Sequence, residues 1–191
     1  MEIPSGHLKK YLFDTGSLFF SLLTFLILFS CSSADMKGPG NSHIVEGVPF
    51  YPQEAYQCGP SSLASVLNYY GIDVSPEEIA RDIYSKSARG TLNMDMVLYA
   101  EKKGLDVRQY SGTVEDIKQN IDSGAPLIVM VDNGFSLYQK NHFMVVLGYN
   151  DEGIISNSGR EQFKFIPFHD FNKTWRKTNY WSLLGYSHSR V

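Results

Sequence analysis

The chain has 191 residues, with 17 Lys and Arg against 20 Asp and Glu and a formal net charge of −3 at pH 7. That balance gives no basic field to attract a phosphate backbone, so nucleic acid is not expected as a partner. Five His and two Cys show no Cys-x-x-Cys or His-x-x-x-His spacing, and no Gly-x-x-x-x-Gly-Lys-Ser/Thr stretch offers a nucleotide cradle. No metal, nucleotide or other cofactor is therefore expected.

Lys9 and Lys10 precede an apolar stretch, Leu18 to Phe29, broken only by Ser21 and Thr24. A basic start followed by an apolar run too short to cross a bilayer comfortably reads as a signal peptide over residues 1–30. The run ends Leu28-Phe29-Ser30-Cys31, which resembles a bacterial lipobox. That resemblance implies lipid modification of Cys31 and, with Ser32 after it, an outer-membrane location facing the periplasm. An uncleaved anchor is the alternative. Residues 31–43, small, polar and Gly/Pro-containing, read as a flexible tether, and residues 44–191 have the size of one domain.

Within that domain Ser61 to Tyr70 has helical apolar spacing and stops at Gly71. Ser75-Pro76-Glu77-Glu78 is a capping box opening a second helix to about Tyr84. Arg89-Gly90-Thr91 reads as a turn. A third helix spans about Asn93 to Lys103, ending at Gly104. Leu105 to Tyr110 is a strand, and Thr113 with Asp116 opens a fourth helix. The second half is strand-rich: Leu127 to Val131, then His142 to Tyr149, a turn at Asn150 to Gly153, Ile154 to Asn157, Gln162 to Ile166 and Tyr180 to Gly185. Pro167 to Trp175 reads as a short helix or turn, and Asp132 to Lys140 as a polar loop over the site. Helices first and an antiparallel sheet second is an α+β pattern.

Cys58 lies in Gln53-Glu54-Ala55-Tyr56-Gln57-Cys58-Gly59-Pro60, at the start of the first helix. If Cys31 is acylated, Cys58 is left as a free thiol in an oxidising compartment, which favours a chemical role. Unpaired N–H groups at a helix N-terminus stabilise a thiolate, which predicts a lowered pKa. The Cys58 N–H and the Gln53 side-chain amide are candidate oxyanion donors, with Gln57 as a rival. His142, at the mouth of an apolar strand, is the candidate base. The group that orients its ring is read as Asn157, with the adjacent Ser158 and Asp151 as alternatives.

The segment VPFYPQEAYQCGPSSLASVLNYYG (residues 48–71), with NHFMVVLGYN (141–150), resembles the bacteriocin-processing, double-glycine leader peptidases. These are papain-like cysteine peptidases, and the resemblance is closest to a lipoprotein branch. It implies a papain-like fold with the Cys on an N-terminal helical half and the His on a C-terminal sheet. It also implies Cys58 as nucleophile, His142 as base and Gln53 as oxyanion donor. Asn157-Ser158 stands where that family has Asp-Pro. Gln53 is five residues before Cys58, against a commoner six. The transporter and ATPase of family exporters are missing here, so neither ATP dependence nor double-glycine specificity is implied. The expected function is a lipid-anchored cysteine peptidase acting on envelope peptides or proteins. An idle papain-like module that binds a peptide or envelope partner, and an acyltransferase or amidase with the same pair, are the alternatives.

Overall fold

The computed structural model describes residues 42–53 and 57–186. The signal segment, Cys31, tether residues 31–41 and Tyr56 lie outside the described residues.

Strand β1 (His43–Ile44) is followed by helix α1 (Cys58–Tyr69), helix α2 (Pro76–Ile83), the strands β2 (Tyr84–Ser85) and β3 (Gly90–Thr91), and helix α3 (Asn93–Lys102). Then come β4 (Asp106–Ser111), α4 (Val114–Asp122), β5 (Leu127–Asp132), β6 (Asn141–Tyr149), β7 (Gly153–Ser158), β8 (Glu161–Pro167), α5 (Phe168–Trp175), a 3-10 turn and β9 (Trp181–Tyr186). The sheet runs β4-β9-β5-β6-β7-β8, with every pair antiparallel. Helices lead and the sheet follows, as an α+β reading requires.

Local chemistry explains most boundaries. Ser75 and Glu78 close a reciprocal capping box on α2, with Pro76 at the first helical position, and Thr113 and Asp116 do the same for α4. Asn150 Oδ1 accepts from the N–H groups of Glu152 and Gly153 at 2.8 and 2.9 Å, which shapes the β6–β7 turn. The runs Leu127–Asp132 and Phe143–Tyr149 are buried almost throughout, because α1 and α4 pack on β6 while α5 packs on β5, β7 and β8. Phe171 and Trp175 of α5 are fully buried, and Trp175 Nε1 donates to the Trp181 carbonyl at 3.1 Å.

Two expectations are corrected. His43 is not tether. It pairs with Tyr149 in β1–β6, stacks on the Tyr149 ring at 4.6 Å, and its Nδ1 lies 2.7 Å from Asp122 Oδ1. The folded domain therefore starts before residue 44. Arg89–Thr91 is more than a turn: Gly90 and Thr91 pair with Ser85 and Tyr84 in a small ribbon. That ribbon sets Thr91 against the N-terminal turn of α1, where only a glycine fits. A Cβ on Gly59 would lie 2.8 Å from Thr91 Cβ.

Candidate active site

Helix α1 starts on Cys58 itself, with Gln57 as its N-cap. Ser61, Ser62, Leu63, Ala64, Val66 and Leu67 are buried behind it, so the apolar face of α1 fixes where the thiol stands. Gln57 makes no capping bond with its side chain.

Strand β6 carries His142 and outruns its pairing with β7, whose register starts at Val145↔Asn157. Beyond that point two other residues meet the main chain of Phe143. Its carbonyl accepts from Gln53 Nε2 at 3.3 Å, and its N–H faces the Cys58 sulfur. Cys58 thus lies against the residue next to His142. Gln53 joins three elements. Nε2 also donates to Ser62 Oγ of α1 at 3.3 Å, and Oε1 accepts from the Gly159 N–H at 3.0 Å. Its own N–H donates to the Gly159 carbonyl at 2.8 Å. The two 3.3 Å bonds are longer than the usual N–H···O optimum.

The third position is corrected. His142 Nε2 lies 3.0 Å from Ser158 Oγ, not against Asn157. The reason is strand parity. Asn157 pairs with Val145 and shares its face, so His142 and Ser158 both lie on the opposite face. Asn157 is only 3% exposed, and its Oδ1 accepts from the Phe163 N–H at 3.1 Å. Phe163 has φ 53° and sits where the β7–β8 register shifts between Ser156 and Ser158. Asn157 therefore braces a bulge. Asp151 lies in the β6–β7 turn at the far end of the strands.

The expectation of a lowered thiol pKa is also overturned. Burial pushes the Cys58 thiol up, and this outweighs the N–H groups of Phe143, Gly59 and Cys58 that pull it down. His142 is held at about 4, first by burial and then by the positive charges of Lys164 and Lys140. At neutral pH both groups are uncharged. The segment after β5 is not simply polar. Asp132 Oδ1 accepts from the Gly134 and Lys140 N–H groups at 2.7 and 2.8 Å, Phe135 bridges Tyr138, and Phe135 and Leu137 stand exposed at the tip. Among the described residues no group of three His, Cys, Asp or Glu side chains could hold a metal ion.

A helical half presenting a Cys at a helix start, set against a sheet presenting a His, defines a papain-like cysteine peptidase fold. Residues 45–183 match the family model described as Peptidase_C39 like, and the chain belongs to that family. An uncharacterized protein of Methanothermobacter marburgensis is 30% identical over 120 residues, 63% of this chain and 74% of that protein. A candidate C39-like peptidase from Bacillus anthracis superposes with a TM-score of 0.67 at 17% identity, covering 78% of this chain and 100% of that one. The peptidase domain of Streptococcus ComA, a bifunctional ABC transporter of a quorum-sensing pathway, gives 0.61 at 24% identity over 73% and 99% of the two chains. A double glycine motif protease from an AMS/PCAT transporter, solved with its leader peptide, gives 0.59 at 23% over 75% and 94%.

Proposed function

We propose that this chain is a cysteine peptidase that hydrolyses peptide bonds in peptides or proteins of the bacterial cell envelope, held there by a lipid on Cys31. The observation that carries the reading is the Cys58 sulfur at the start of α1 facing the main chain of Phe143, next to His142, in a chain of the C39-like family. With Nε2 engaged by Ser158, Nδ1 is the nitrogen left to serve the thiol. His142 takes the S–H proton as sulfur bonds the carbonyl carbon, and the carbonyl electron pair moves onto oxygen. The Cys58 N–H and the Gln53 amide stabilise that oxyanion. Collapse breaks the C–N bond, and the imidazolium returns the proton to the leaving amine. Water then adds to the thioester with His142 as base, and the released sulfur regains its proton. A peptide substrate accords with the leader peptide held by the AMS/PCAT neighbour, while the envelope location rests on the N-terminal sequence pattern.

The uncharged thiol and imidazole favour a second reading, a peptide-binding module whose pair is idle. A peptidyl acyloxymethyl ketone separates the two. The peptidase reading expects covalent labelling of Cys58 that disappears in His142→Ala and is slowed by competing peptide. Labelling no faster than that of a free thiol, and unchanged in His142→Ala, would support the idle module.

A further inference from the structure

His142 faces a hydroxyl where the resemblance leads one to expect a carboxylate or carboxamide. The two atoms are 3.0 Å apart, on one face of neighbouring strands, and Ser158 is only 9% exposed. We propose that Ser158 is the residue that positions His142, and that its hydroxyl, able to donate or accept, holds Cys58 and His142 as a neutral thiol–imidazole pair until substrate arrives.

A carboxylate only accepts, so it would admit only the tautomer with hydrogen on Nε2 and leave Nδ1 as the base. A hydroxyl accepts from Nε2–H or donates to bare Nε2, so it permits both tautomers, and only the first leaves Nδ1 bare to act as the base. It also brings no negative charge to stabilise an imidazolium. The charges that act on His142 are those of Lys164 of β8 and Lys140 just before β6, both cationic, and burial acts in the same direction; the carboxylate of Glu161, across from Ser158, is paired to Lys164 at 2.5 Å. The proton therefore rests on sulfur. It moves to Nδ1 only as the S–C bond forms, with the S–H bond breaking and the N–H bond forming in the same event. The thiolate is the form that attacks alkylating agents and peroxides, so a resting thiol of this kind is shielded from oxidants in an oxidising compartment. The catalytic consequence rests on the peptidase reading above, whereas the thiol chemistry does not.

The test is the rate of iodoacetamide alkylation at Cys58 from pH 4 to pH 10, read by peptide mass spectrometry on the full chain. The wild type should show one alkaline titration and no plateau of reactivity below pH 7. Ser158→Asp supplies an acceptor-only carboxylate in place of the hydroxyl. It should add an acid-side plateau, with alkylation at pH 6 about tenfold faster. Ser158→Ala should keep the wild-type pH shape and lower kcat on a cleaved peptide, with KM little changed. An acid plateau in the wild type, or a Ser158→Asp profile that superposes on it, overturns the proposal. If Ser158→Asp does not fold, 15N NMR of wild-type His142 decides. Neutral-tautomer shifts at pH 6 support the proposal, and imidazolium shifts there overturn it. A chain that cleaves no peptide but gains the plateau in Ser158→Asp refutes the peptidase reading and leaves this proposal standing.

Discussion

Truncating Gln53 should damage the fold and the chemistry by separable amounts. Its side chain makes three bonds: to the Phe143 carbonyl and Ser62 Oγ at 3.3 Å each, and from the Gly159 N–H at 3.0 Å. A net bond is worth about 1 kcal/mol and the long pair less, so Gln53→Ala should cost about 2 kcal/mol of stability. With a urea slope of about 2 kcal/mol/M, the midpoint should fall by about 1 M. Gln53→Glu keeps the acceptor for the Gly159 N–H but sets a carboxylate against the Phe143 carbonyl and removes the amide donor. It should unfold at a midpoint between those of wild type and Gln53→Ala, yet lose about 100-fold or more in kcat. Urea denaturation and peptide cleavage on the same samples read both effects. A Gln53→Ala midpoint equal to wild type would refute its role as a three-way tie, and a Gln53→Glu enzyme of full kcat would refute its role at the oxyanion.

Three further outcomes follow from the packing and the charges. Gly59→Ala places a Cβ 2.8 Å from Thr91 Cβ and 2.9 Å from its Oγ1, so it should cost about 1–3 kcal/mol. Thr91→Gly should recover most of that loss, and a loss of equal size in both backgrounds would contradict the contact. Asn157→Ala leaves the Phe163 N–H without its partner. It should lower the urea midpoint by an amount worth about 1–3 kcal/mol while the pH profile of Cys58 alkylation stays as in wild type, and a changed profile would return Asn157 to the site. His142 titrates at about 4 in the fold against 6.5 when free. Its preference for the neutral form is fully present above pH 6.5 and is lost as pH falls from 6.5 to about 4, because only the unfolded chain takes up the proton there. That window should cost up to about 3 kcal/mol. The His142→Gln variant should lose that share of the acid slope, and identical slopes would show that another group carries it.

The positions of Cys58 at a helix start and His142 on a buried strand were legible because their signals are local. A Cys opening an amphipathic helix and a His opening an apolar strand each declare themselves within about ten residues, and so do the capping boxes at Ser75 and Thr113. The third member was not legible. Choosing Ser158 over Asn157 requires the β6–β7 register, and a shift of one residue moves every side chain to the other face. Nothing in the pair Asn-Ser reveals that the bulge at Phe163 has claimed the Asn. Gln53 was readable as a polar residue near the Cys, but its partners Phe143 and Gly159 are 90 and 106 residues away. The ionisation state was misread for a related reason. A helix N-terminus is visible in sequence, whereas the burial that outweighs it is a property of the assembled core. The two-residue strands β1, β2 and β3 are too short to carry a periodic pattern.

The most direct test of Cys58 as nucleophile and His142 as base is cleavage of a defined peptide library by the purified chain, with new termini counted by mass spectrometry. The wild type should generate new amino and carboxyl termini, and Cys58→Ala and His142→Ala should generate none at matched concentration and folded fraction. Cleavage by Cys58→Ala at the wild-type rate would contradict the account, as would a folded wild type that leaves the library intact.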